Sequence, residues 1–178
     1  MAKKKSGNVM GFVLLAIILV ALVLVVVGMF VGQVGLSYVA NLKGETATET
    51  FKLFGEWGDR SVGPLTLKGV SNAFAIVSFI ITLAGLVLLL VDGILHYVLG
   101  KNLKLIRIIG VAAALIGGIL ILVSGLVMAE QCYGGEDGKK LLEAFKVTFS
   151  AGAGVWLGFI GGLVGAVGGG LGLLKKFN

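Results

Sequence analysis

Residues 147–174 read VTFSAGAGVWLGFIGGLVGAVGGGLGLL, an uncharged segment in which glycine recurs at helical spacing. At about 100° per residue the glycines fall on one stripe of a helix. Each would cost roughly 1 kcal/mol relative to alanine in a water-soluble helix. In lipid the backbone must satisfy its own polar groups, which enforces a helix, and a stripe without side chains lets a second helix approach closely. The segment therefore predicts a transmembrane helix built for close packing.

The composition predicts that the whole chain is a membrane protein. Of its 178 residues, 57% are hydrophobic and 13% are charged, and the mean hydropathy is +1.06. Apolar segments at residues 9–31, 70–92, 107–129 and 148–174 each reach the ~20 residues that a helix needs to cross the hydrocarbon core. We predict an all-α membrane fold, a four-transmembrane-helix bundle forming a single integral membrane domain over residues 1–178.

The distribution of charge predicts the orientation of the bundle. If the spans alternate in direction, both termini and the short link after the second span lie on one side. That side carries eight basic residues and one acidic residue, Asp92, whereas the other carries seven basic and eight acidic residues. The positive-inside rule places the basic side in the cytoplasm. The net charge of +6 thus reflects topology and not nucleic-acid binding, and we expect a lipid bilayer, of the plasma or cell membrane, around the chain.

The two outer loops are residues 32–68 and 130–146, and the first is too long for a simple connector. Threonine recurs at every second position over residues 46–50, which is typical of one face of a strand. We therefore expect a small first extracellular loop with β-structure. Its aromatic side chains pack the loop, sit at the membrane interface or contact a partner. These candidate contact residues are Phe51, Phe54 and Trp57.

Glycines on two spans are candidates for helix packing. They leave three roles open, namely packing inside the chain, self-association into an oligomer and a gating hinge, of which packing inside the chain is favoured. On the fourth span they are Gly154, Gly158, Gly161, Gly165, Gly168 and Gly172, and on the third span they include Gly110 and Gly117.

Three ionisable residues near the inner ends of the second and third spans are the next candidates. Asp92 and His96 are four residues apart and so share a helix face, and ionisable groups at membrane depth suggest function. A helix starting at residue 69 rises about 34 Å by Asp92, which brings this residue to the inner interface. There Arg107 on the next helix is placed to pair with it. We favour a structural ion pair, with a proton or ion relay as the alternative.

The sequence contains no pattern that indicates an enzyme, a cofactor or a metal site. Cys132 is the only cysteine, so neither an internal disulfide nor a cysteine cluster is available, and His96 is the only histidine. The glycine-rich residues 161–172 lie in a membrane helix with no preceding strand, which excludes a phosphate-binding loop.

The layout resembles that of claudins and peripheral myelin proteins. The shared features are cytoplasmic termini, a large first outer loop with strand character and Trp57, a short inner turn at residues 100–104 and a smaller second outer loop. Of the claudin signature, which combines tryptophan, Gly-Leu-Trp and paired cysteines, the chain retains only Glu56-Trp57-Gly58, and residues 32–68 contain no cysteine. The resemblance implies a four-helix protein of the membrane whose outer loops make contacts.

Together these patterns predict a non-enzymatic membrane scaffold, adhesion element or accessory subunit with a membrane-protein partner or a homo-oligomeric state. The alternative is a small oligomeric channel or transporter. A solute path needs polar residues along it, and besides Asp92 the spans offer few. Those few are Ser71, Asn72, Ser78, Thr82, Ser124, Thr148 and Ser150.

Overall fold

The computed structural model describes residues 3–39, 46–54, 60–62, 65–67, 69–101, 103–144 and 146–174. Within these ranges four helices are long and apolar enough to cross a membrane, which confirms the predicted four-helix membrane bundle. The helices are α1 (Lys3–Phe30), α2 (Ala73–Tyr97), α3 (Lys104–Gln131), the short α4 (Glu136–Ala144) and α5 (Ala153–Leu171), of which all but α4 belong to the bundle.

The four long helices form a ring in which each packs mainly against two neighbours, and α2 also contacts α5 across the centre. Helix α1 lies between α2 and α5, and α3 lies between the same two helices on the opposite side. A tight turn joins α2 to α3, where Gly100 adopts a φ of +69° and the amide of Lys101 donates to the carbonyl of Leu95. We call this end of the bundle the hairpin end and the opposite end, which carries the strands, the sheet end.

The first loop contains β-structure, as its threonine pattern predicts. A three-stranded antiparallel sheet has the order β2-β1-β5, and β3 and β4 form a separate hairpin. Thr48 and Thr50 are both exposed on β2, in agreement with a spacing of two. The strands are β1 (Gly32–Val39), β2 (Thr46–Lys52), β3 (Arg60–Val62), β4 (Leu65–Leu67) and β5 (Thr148–Ala151).

The fourth span differs from its predicted bounds of 148–174. Its first residues form β5, and the helix begins only at Ala153. Phe149 is buried whereas Thr148 and Ser150 are exposed, which is the two-residue alternation of a strand, and β1 supplies antiparallel partners for the backbone. Pairing with β1 therefore outweighs the continuation of the helix. The short helix α4 is also separate from α5, because β5 lies between them.

Helices α1 and α5 run antiparallel in close contact, and the chain continues this contact in the sheet. A Cβ atom at Gly161 would lie 2.8 Å from the carbonyl oxygen of Ala21, and one at Gly28 would lie 2.8 Å from that of Gly154. Directly beyond α1 comes β1, and directly before α5 lies β5, so the same two segments pair first as helices and then as strands.

The glycine stripe of α5 is buried inside the chain. On the side facing α3, a Cβ atom at Gly162 would lie 2.7 Å from the carbonyl oxygen of Ala114 and 2.8 Å from the Cα of Gly118. Toward the core, one at Gly158 would lie 2.7 Å from the Phe79 ring. At these positions neighbouring helices thus fill the space that glycine leaves, and this part of α5 is not left open as a surface for a second copy.

We expect Gly162→Ala to lower the free energy of unfolding in detergent by about 1–3 kcal/mol, because the added methyl group meets backbone atoms of α3 that cannot move alone. Gly170→Ala is the matched control, since nothing lies within 4 Å of its Cβ position. The control should have a free energy of unfolding equal to or higher than that of the wild type, because alanine favours a helix over glycine by about 1 kcal/mol. Equal stability of both variants would contradict the close α3–α5 contact.

Candidate functional site

The hairpin end contains an ion pair that is buried in the helix bundle. The Nε of Arg107 donates to Oδ2 of Asp92, and the two side chains are only 4% and 2% exposed. Asp92 lies near the end of α2 and Arg107 lies in the first turn of α3, so the tight turn between these helices brings them together. The structure thus brings together the two residues that were predicted from the sequence to form an ion pair. Both side chains lie inside the bundle.

Arg107 also joins the ion pair to α5. Its Nη1 donates to the carbonyl oxygen of Gly172, the residue that follows the last turn of α5. Carbonyl groups at a helix C-terminus lack helical donors and carry partial negative charge. A guanidinium group can satisfy this carbonyl and a carboxylate at once because its donors point in several directions. One side chain therefore links α2, α3 and α5.

Tyr97 extends this contact to α1. Its ring lies against Gly11, where a Cβ atom would be 2.6 Å from the ring Cγ, so the ring needs the space that glycine leaves. The Tyr97 hydroxyl is 3.3 Å from the position that a Cβ atom would occupy at Gly172. We call Asp92, Tyr97, Arg107 and Gly172 the hairpin-end cluster. Together with Gly11, it contacts all four long helices.

His96 lies outside the ion pair. Its ring stacks edge-on against the Tyr97 ring, with centroids 4.7 Å apart and planes at 75°. Within the described residues its Nδ1 is buried without a hydrogen-bond partner. The shared helix face of Asp92 and His96 therefore does not produce a hydrogen-bonded relay between them.

Other polar side chains inside the bundle bond to their own helices. Ser78 donates to the carbonyl of Phe74, Thr82 donates to the carbonyl of Ser78, and Ser124 donates to the carbonyl of Ile121, at 2.7–2.8 Å. All three side chains are buried. Because their donors are already used within one helix, they do not form a chain of polar groups along the bundle axis.

The structure separates the aromatic candidates of the first loop. Phe51 is buried in the core, whereas Phe54 is 57% exposed. Its ring lies near that of Phe30, which is also exposed at the end of α1, with ring centroids 6.1 Å apart. Trp57 lies outside the described residues. The loop is fixed to the bundle by Asn72, which donates to the carbonyl of Leu53 at 2.6 Å. Of the two described aromatics, only Phe54 is available for contact with lipid or a partner.

The second loop packs against β5. The Tyr133 hydroxyl accepts a hydrogen bond of 3.1 Å from the amide of Phe149, and the two rings meet edge to face. Lys139 pairs with Glu130 at 3.2 Å on the surface. Cys132 is buried beneath, and this burial raises the pKa of its thiol to about 11. The sheet end is therefore a folded cap to which both loops contribute.

Gln33 is a structural residue that the sequence reasoning did not identify. Its Nε2 donates to the carbonyls of Gly28 and Val31 at 2.6 and 2.9 Å, so it satisfies the open end of α1. The backbone carbonyl oxygen of Gln33 accepts a hydrogen bond of 2.6 Å from the amide of Gly152, the residue just before α5. The available signal was an isolated amide residue directly after an apolar span.

We expect Arg107→Met to cost about 3–5 kcal/mol of stability, because it leaves the Asp92 carboxylate buried without its cation. Combining it with Asp92→Leu should recover most of this loss. Lys139→Gln, which breaks an exposed pair, serves as the control and should leave the unfolding transition in detergent nearly unchanged. An Arg107→Met protein as stable as this control would contradict a structural ion pair.

Comparison of the chain with protein-family models, with curated proteins and with solved structures finds no match. The resemblance to claudins and peripheral myelin proteins therefore remains a prediction from layout. Function is to be inferred from the geometry of the bundle, the cap and the hairpin-end cluster.

Proposed function

We propose that this protein is a non-enzymatic membrane scaffold or accessory subunit that holds a folded cap at the membrane surface and binds a membrane-protein partner. The observation that carries the proposal is the construction of the sheet end. Strands β1 and β5 are direct continuations of α1 and α5, so the cap cannot turn independently of the bundle. A rigid surface on a membrane anchor suits recognition, because little conformational freedom is lost on binding.

The interior of the bundle supports this role over transport. Glycines bring α5 into van der Waals contact with α1 and α3, and the buried hydroxyl groups bond to their own helices. The cavity found at the hairpin end has a volume of about 10 Å³, which suits one water molecule and no larger solute.

The surface of the cap offers polar groups to a partner. Glu136, Asp137, Lys140 and Glu143 on and around α4 are exposed, whereas the outward faces of the long helices are apolar. A partner would therefore meet the cap through charge and the bundle through van der Waals packing. The glycine stripe is already covered by the chain itself, which favours a different membrane protein over a glycine-mediated homo-oligomer.

A small oligomeric channel or transporter is the second candidate, and the buried Asp92–Arg107 pair is the observation that favours it.

Purification from the native membrane in mild detergent tests the first proposal, because an accessory subunit should retain one partner at fixed stoichiometry. A chain that purifies alone under these conditions would contradict it. Saturable flux in liposomes, reduced by Asp92→Asn and not by the surface variant Lys139→Gln, would support the channel or transporter instead.

The proposal requires the sheet end to face outward, as the positive-inside rule predicts from Lys101 and Lys104 at the hairpin end. In a Cys132→Ser background, we expect an impermeant maleimide to label Glu136→Cys in intact cells and Lys101→Cys only after permeabilisation. Both positions are exposed in the structure, so burial does not limit the reaction. Cys132 itself is a poor target, since a thiol with a pKa of about 11 stays protonated at neutral pH. Labelling of both variants in intact cells would contradict the orientation.

A further inference from the structure

We propose that the cavity at the hairpin end binds one water molecule, held between the free carboxylate oxygen of Asp92 and the hydroxyl group of Tyr97. The water would complete the polar contacts of the hairpin-end cluster. The proposal concerns the inside of the bundle and does not depend on the partner-binding role of the cap.

The first observation is an acceptor without a donor. Asp92 is 1% exposed, and although its Oδ2 accepts from Arg107, its Oδ1 is buried with no hydrogen-bond partner among the described residues. The hydroxyl oxygen of Tyr97 is likewise buried without a partner there. A buried charged oxygen that lacks a hydrogen-bond donor carries a larger desolvation penalty than a neutral oxygen does. A donor at this position would remove the penalty.

The second observation is the space itself. A cavity of about 10 Å³ lies between the long helices, and both Asp92 and Tyr97 line it together with Arg107 and Gly172. Such a volume is at the lower limit for one water molecule. Its remaining wall is made of aliphatic side chains and glycines, so Asp92, Tyr97 and Arg107 supply the polar side chains of the lining. The aliphatic and glycine wall consists of Leu14, Ile18, Leu89, Gly93, Gly168 and Gly169.

The charges of Asp92 and Arg107 favour a water molecule over a cation in this cavity. The carboxylate of Asp92 is already paired with the guanidinium of Arg107, so the site carries no net negative charge. A sodium or ammonium ion would meet the repulsion of Arg107 with a single carboxylate oxygen in compensation. Water can donate to Oδ1 of Asp92 and either donate to or accept from the Tyr97 hydroxyl.

A high-resolution structure of the full chain in a lipidic phase tests the site. We expect one density peak within about 3.2 Å of both Asp92 Oδ1 and Tyr97 Oη. We expect Tyr97→Phe, which removes only the hydroxyl group, to lose this peak, and Gly170→Ala, which changes a position in open space, to retain it. An empty cavity in the wild type, or a peak that Tyr97→Phe leaves unchanged, would overturn the proposal. Anomalous scattering at the site after growth in rubidium salts would identify a cation and would overturn it as well.

Magnetic resonance gives a second readout in bilayers that does not require Tyr97→Phe to fold. The chain has three aspartates, Asp59, Asp92 and Asp137, so carboxyl-labelled aspartate gives three carbon signals. We expect transfer of magnetisation from water protons to the Asp92 carboxyl, despite its burial, at a level comparable to that of the exposed Asp137. Absence of transfer to Asp92 alone would show that the cavity is dry.

Discussion

The structure depends on the close approach of α1 and α5, the first and last long segments of the chain. Glycines on both helices bring the two backbones into contact. Beyond the helices, the same two segments continue as the hydrogen-bonded strands β1 and β5. Gln33 lies at this transition, satisfying the end of α1 with its side chain and the start of α5 with its backbone. The membrane bundle and the cap are therefore structurally continuous, because the same two segments contribute to both.

The hairpin end is held by a different kind of force. There α1, α2, α3 and α5 meet around one guanidinium group and one tyrosine ring, and the interaction energy comes from charge and hydrogen bonds in an apolar setting. Such a pair is costly to break because removing one partner leaves an uncompensated charge buried in the bundle. The bundle is thus fixed at one end by backbone packing and strand pairing and at the other by a buried ion pair.

We propose a role in binding because of how the fold is built and what its surface presents. The described part of the chain contains no group of three or more metal-binding side chains, and its buried hydroxyls are bound to their own helices. What the fold offers to other molecules is its surface, which is polar on the cap and apolar around the long helices. The proposed water belongs to the stability of the bundle and not to a path through it.

Hydropathy and charge were enough to predict the number of spans and the ion pair of Asp92 with Arg107. The spacing of threonine predicted the strand character of the first loop, and that of glycine predicted its role in packing. These properties are local, since lipid forces each apolar segment to form its own helix. A short turn also forces the two helices that it joins to lie side by side and antiparallel. The strand at residues 148–151, the hydrogen bond between Gln33 and Gly152 and the contact of Tyr97 with Gly11 could not be predicted. Each depends on a segment far away in sequence, and a residue's own pattern does not record which distant backbone will lie beside it.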